Sequence, residues 1–177
     1  MNEKNKKELM FILPKLRRYC YGLTGNKDHG DDLLHGSVVK ILAKFNLLKI
    51  ENLQAYMYKI ISNLWKDELR KKYKSKEIHV DDFIMDQVPD NNINFDKVSY
   101  ISNNDKINQA INTLTLKLRE VLILIVSEKK TYKEASEILQ IPIGTVMSRL
   151  HEARRKILEN KDQNNTQNKI YDKNWRL

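Results

Sequence analysis

Turn-forming residues are scarce in this chain: 177 residues include only 5 Gly and 3 Pro, and no stretch alternates apolar with polar side chains. So few breaks, without a period of two, argue against a strand-rich fold and for an all-α protein. A single cysteine, Cys20, excludes an internal disulfide and argues against a zinc site. No apolar run approaches the roughly 18–20 residues that span a bilayer. The first residues, MNEKNKKELM, are charged and lack the apolar run and small-residue cleavage site of a secretory signal, so the expected location is cytoplasmic. Catalytic signatures are missing as well. There is no Gly-rich phosphate loop, no sign of paired carboxylates with a pocket and no metal-ligand cluster, and His29, His35, His79 and His151 are scattered over different segments. No catalytic residue, metal or cofactor is expected, and the chain does not read as an enzyme.

Positive charge is what the chain has in plenty. A net charge of +9 suits a polyanionic partner, and its distribution is informative. Residues 1–75 hold 16 Lys/Arg against 8 Asp/Glu, residues 76–105 hold 2 against 7, and residues 106–177 hold 14 against 8. Two basic blocks therefore flank an acidic segment. A general preference for surface lysine would not make the middle acidic.

The most informative stretch is TYKEASEILQIPIGTVMSRLHEARRKIL, residues 131–158. Thr131 with Glu134 three residues on is a capping box at a helix start. Ala135, Ile138 and Leu139 give that helix a narrow apolar face. The break falls at Gln140-Ile141-Pro142, because the residue before a proline is pushed out of the α region. A second helix buries Val146, Leu150, Ala153 and Ile157 at helical spacing and turns Thr145, Ser148, Arg149, Glu152, Arg155 and Lys156 outward. This is the design of a helix-turn-helix for the major groove. The same periodicity also fits an αα-hairpin in a helical bundle, its basic face solvated.

Three helices are read in the first block. Residues 7–24 place Leu9, Leu13, Leu16 and Cys20 on one face, with Pro14 as a kink or a start. The next helix opens on Asp28, Asp31 and Asp32, favourable at a helix N-terminus, and continues through Leu33, Leu34, Val38, Ile41, Leu42 and Phe45. The third, residues 52–74, buries Leu53, Tyr56, Met57, Ile60, Ile61, Leu64 and Leu69 and ends in a basic run. Tyr56, Tyr58, Trp65 and Tyr73 interleave with that run, as in surfaces that stack single-stranded bases, although rings at these positions also serve as core. Residues 75–104 are acidic and Asn-rich and read as a linker with apolar anchors at Phe83, Ile84 and Phe95. Helices resume at Asp105, with Leu118, Val121, Leu122 and Ile125 at core spacing. The tail from Asn160 is polar and reads as disordered.

Residues 141–154, IPIGTVMSRLHEAR, resemble the recognition helix of bacterial sigma factors of the extracytoplasmic-function (ECF) type, which reads the promoter's −35 element. The resemblance implies that Thr145, Ser148, Arg149, His151 and Arg154 lie at or near DNA. Met147 stands where Lys or Arg is frequent in that family, Glu152 where Arg is frequent, and Gln140 where the turn usually has Gly. YMYKIISNLWKDELRKKY is similar to the segment that melts and reads the −10 element. This implies a base-edge contact for Asn63 and phosphate contacts for Lys66, Arg70, Lys71 and Lys72. GDDLLHGSVVKILAKF resembles the segment that packs on the clamp helices of RNA polymerase, which implies a core-polymerase surface of Asp31, Asp32, His35 and Val39. His35 and Gly36 replace the family's usual Gln and acid.

These readings give an all-α protein of two small helical domains joined by an acidic linker, the second ending in a helix-turn-helix. The expected boundaries are 1–75 for a domain binding core polymerase and the −10 element, 76–104 for the linker, 105–159 for the −35 domain and 160–177 for the tail. The implied partners are core RNA polymerase, promoter DNA and an anti-sigma protein, with no membrane span. The runner-up is a sigma-like mimic that captures an anti-sigma protein without reading DNA. A repressor or activator using only the last helix pair leaves the first block unexplained.

Overall fold

The computed structural model describes residues 3–44, 50–74 and 111–173, apart from the side chains of residues 4, 44, 73, 74 and 160–173. Helix α1, Glu3–Thr24, runs straight through Pro14 as an exposed interior residue, so Pro14 does not start the helix. Leu9, Leu16 and Cys20 are buried as the spacing predicts, with Leu13 half-buried. The helix stops at Gly25, which adopts the left-handed conformation (φ 65°) that glycine takes without steric cost. The Asn26 carboxamide oxygen then accepts the His29 amide at 3.0 Å and caps α2, Lys27–Lys44.

Helix α2 lies close against α1. A Cβ on Gly30 would fall 2.3 Å from the Tyr21 ring, so glycine here sets the separation of the two helices. Leu33, Leu34 and Ile41 face the core, whereas Leu42 is 46% exposed; Phe45 lies outside the described residues. Helix α3, Leu53–Lys74, is capped by Asn52, whose carboxamide oxygen accepts the Ala55 amide at 2.9 Å. Its stripe of Leu53, Met57, Ile60, Ile61 and Leu69 is buried, and Tyr56 and Leu64 are half-buried. Tyr58 and Trp65 are buried too, so these two rings form core and not a stacking surface. Tyr73's side chain lies outside the description.

The acidic segment lies outside the described residues. The described residues resume at Ile111, ahead of α4, Leu116–Leu122, which passes into a π-helical turn at Ile123–Ser127. The Glu128 amide closes that turn on the Ile123 carbonyl at 2.9 Å, and Lys129 follows with φ 52°. Helix α5, Tyr132–Leu139, and helix α6, Ile143–Lys173, complete the chain. The segment after Asn160, read from sequence as disordered, continues α6 as helix to Lys173. Neither Gly nor Pro occurs between Thr145 and Lys173 to stop it. The described residues contain helices and no strand, so the all-α reading holds. No helix among them is long and apolar enough to cross a membrane.

The two blocks, α1–α3 and α4–α6, pack on one another through α1 and α3 on one side and α4, the π turn and α5 on the other. Their buried apolar residues form one cluster that runs across both blocks.

Candidate nucleic-acid interface

The helix-turn-helix is built as its residues predict. The Thr131 hydroxyl accepts the Glu134 amide at 3.2 Å, and the Glu134 carboxylate accepts the Thr131 amide at 2.8 Å. That backbone amide is the main reason the Glu134 carboxyl titrates below its ordinary value. Gln140 takes the left-handed conformation (φ 56°, ψ 44°) at the turn, where a non-glycine residue costs roughly 1 kcal/mol. The Ser136 hydroxyl steadies the bend by donating to the Ile141 carbonyl at 2.6 Å. Val146, Leu150 and Ala153 of α6 are buried against the rest of the block.

This anchoring decides what α6 shows to solvent. Ser148, His151 and Arg154 are exposed on its outer face. Thr145 and Arg149 sit half-buried along one flank, nearer the supporting helices. Glu152 pairs with Lys156 at 3.4 Å, and Arg155 with Glu159 at 2.6 Å, both one turn apart.

On α3, Asn63 is exposed, with Arg70, Lys71 and Lys72 exposed further along. Arg70 is paired with Asp67 at 3.1 Å, both half in solvent, an interaction of small energetic weight. Lys66 differs from its neighbours. Its ammonium lies 3.0 Å from the Glu120 carboxylate of α4 and donates to the Ser62 hydroxyl at 2.9 Å. Asn63 and Arg70, two turns apart, share one exposed face of α3; Lys71 and Lys72 are exposed but rotated away from that face, and Lys66 is turned toward the second block.

On α2, Asp32, His35 and Val39 share one exposed stripe with Leu42. Asp31 points instead toward α1. It accepts the Tyr21 hydroxyl at 2.8 Å and faces Arg17 at 3.2 Å. Three of the four expected polymerase-facing residues are thus together, and the fourth braces the α1–α2 pair.

The seam between the blocks was not visible as a site in the sequence. The Glu128 side chain is fully buried and accepts two hydrogen bonds from Arg18, at 2.7 and 3.1 Å, and one from the Tyr58 hydroxyl at 2.7 Å. The Glu128 hydrogen bond raises the Arg18 pKa, while burial and then Glu128 push the Tyr58 phenol well above its ordinary value. The Tyr58 ring meets Tyr19 edge-on, centroids 4.9 Å apart. Glu120, equally buried, accepts the Ser62 hydroxyl at 2.6 Å besides facing Lys66. Arg119 donates to the Leu23 carbonyl in the last turn of α1 at 3.0 Å and to the Asn112 and Leu114 carbonyls. Lys130 reaches the Gln54 carboxamide at 3.1 Å. The available signal was Arg119-Glu120 inside the apolar run LREVLILIV, where charges on core-facing turns call for partners.

No cluster of potential metal ligands occurs among the described residues. The side chains that these surfaces present offer hydrogen bonding and ion pairing.

Comparison with known proteins matches two family models to the chain: "Sigma-70, region 4" over residues 104–157 and "Sigma2 domain of PhyR" over residues 10–62. The ECF RNA polymerase sigma factor EcfG of Rhodopseudomonas palustris is 26% identical over 153 residues, covering 85% of this chain and 81% of the relative. Among solved structures, the sigma factor RpoE of Bartonella quintana, in complex with the anti-sigma factor NepR, superposes with a TM-score of 0.70 at 25% identity. That match covers 91% of this chain and 98% of RpoE. The anti-anti-sigma factor PhyR, complexed with NepR from the same organism, shares the fold with a TM-score of 0.57 at 17% identity. It covers 84% of this chain and 48% of PhyR.

Proposed function

We propose, from the premise that this chain belongs to the ECF-type sigma factors, that it binds core RNA polymerase and directs promoter recognition and melting. It performs no covalent chemistry in this reading; it lends specificity to the polymerase by positioning two reading surfaces. The second block reads the −35 element through α6, with Ser148, His151 and Arg154 at the groove and Thr145 and Arg149 on the flank. The first block engages the −10 element through the end of α3. Asn63 contacts a base edge there, since an amide can both donate and accept, and Arg70, Lys71 and Lys72 hold phosphates. Lys66 joins them once released from Glu120. Asp32, His35 and Val39 form the surface for core polymerase, with Asp31 supporting it from behind. The boundaries at 75, 104 and 159 are those of the two reading blocks and the acidic connection between them.

The observation that carries the reading is the capped, left-handed-turn helix pair that holds the polar and basic face of α6 outward. RpoE is seen bound to an anti-sigma factor, and a protein of that kind is a proposed partner here as well. The family model of the first block is named for PhyR, and the PhyR of the solved complex is described as an anti-anti-sigma factor. This favours the mimic as the second reading.

Run-off transcription with purified core polymerase and the full chain, on a library of genomic promoters, separates the two. Discrete starts that share two spaced motifs support the sigma factor. Absence of both transcripts and a core complex overturns it in favour of the mimic. On a promoter found in this way, Asn63→Ala is expected to lower open-complex formation about tenfold, the loss of one base-edge contact, with polymerase binding unchanged.

A further inference from the structure

The outward side chains at the start of α6 carry no charge. Over the first two turns, residues 143–149, the exposed positions are Ile143, Gly144, Met147 and Ser148. Ile143 is 44% and Met147 52% exposed, and at a spacing of four they stack into one continuous apolar row. Gly144 offers no side chain, and the Ser148 hydroxyl donates back to the Thr145 carbonyl at 3.1 Å. Thr145 and Arg149 are half-buried on the flank, and the exposed cations Arg154 and Arg155 come only in the fourth turn. The helix end that enters a major groove first therefore presents thioether and aliphatic surface.

The major groove leaves one feature for such a surface. Guanine and adenine are read there by cations and amides, cytosine by acceptors; thymine alone projects a methyl group. In helix-turn-helix proteins the N-terminal residues of the second helix are those that meet base edges. A protein partner would cover this row equally well in area, but the rim around it favours DNA. Ser148, His151, Arg154 and Arg155 border it, and Glu152, the carboxylate between residues 143 and 158, is turned to the flank and paired with Lys156.

We propose that Met147, with Ile143 beside it, reads the 5-methyl group of a thymine in the promoter's upstream element. The inference rests on the reading of α6 as the −35 helix. An unbranched thioether that is half in solvent adapts its rotamer to the methyl without disturbing the core behind it, and Val146 and Leu150 fix the backbone from which it projects.

The test uses the full chain, core polymerase and a promoter found by run-off transcription, with each thymine of the upstream element replaced in turn by deoxyuridine. This exchange removes one methyl group and keeps every hydrogen bond. At the contacted thymine the parent protein is expected to lose about fourfold in promoter occupancy, the worth of one buried methyl. Met147→Ala gives the lower level on both templates, so its thymine-to-deoxyuridine ratio is near one. Overturning results are equal ratios for parent and Met147→Ala, or no deoxyuridine effect on a promoter that still needs its upstream sequence. Both leave the sigma reading intact. If no template supports promoter-directed transcription, that reading falls and this inference falls with it.

Discussion

Within the first block, what is buried between the helices is mainly apolar; between the blocks, the same apolar cluster continues but is joined by buried charges. Leu9, Ile12, Leu16, Leu33 and Ile61 join α1, α2 and α3, whereas the seam buries Glu128 under Arg18 and Tyr58 and Glu120 under Lys66 and Ser62. The difference concerns what happens on separation. Parted aliphatic surfaces lose their full burial energy, about 25 cal/mol per Å². Parted ions recover hydration that was forfeited when they were buried. A seam of this composition holds one defined arrangement and yet comes apart at lower cost than a core of equal area.

Three substitutions break or sharpen this contrast. Glu128→Ala strands Arg18 and the Tyr58 hydroxyl together and is expected to cost about 3 kcal/mol in urea denaturation. The radius of gyration from small-angle X-ray scattering should rise as the blocks part; an unchanged radius would show that apolar contacts alone hold the seam. Gly30→Ala drives a Cβ into the Tyr21 ring and should cost about 2 kcal/mol by overpacking, with no change in radius because it acts inside one block. Glu120→Gln keeps the shape and the Ser62 hydrogen bond and should cost about 1 kcal/mol. Its larger effect is to free Lys66 for phosphate. Binding to a promoter fragment, followed by fluorescence anisotropy, should tighten, and the slope of log K against log salt should steepen by about 0.9. Identical slopes for variant and parent would remove Lys66 from the phosphate contacts.

Local rules made most of the fold legible. The capping box at Thr131 and Glu134, the stop at Gln140 before Pro142, and the stripe of Val146, Leu150 and Ala153 are short-range consequences of residue type and spacing, and the structure reproduces them. Periodicity failed where the partner lay far along the chain. Trp65 and Tyr58 alternate with lysines and read equally well as surface or core; tertiary packing decides for core, in the case of Tyr58 with the Glu128 carboxylate from 70 residues away. Asp31 and Asp32 are adjacent in sequence, but Tyr21 and Arg17 claim one and leave the other in solvent. Arg18 and Glu128 are 110 residues apart, a pairing that no local pattern encodes. The reach of α6 past Asn160 was obscured by composition, since polar sequence without Gly or Pro suits tail and helix alike.

The seam also has a consequence measured in length. The 36 residues between Lys74 and Ile111 set an upper bound of about 120 Å on how far apart the two blocks could move while remaining on one chain. Under the function proposed above, docked blocks and blocks parted on two promoter elements would be alternative states of one chain, and Arg18, Lys66, Glu120 and Glu128 stand at the seam where one would be exchanged for the other.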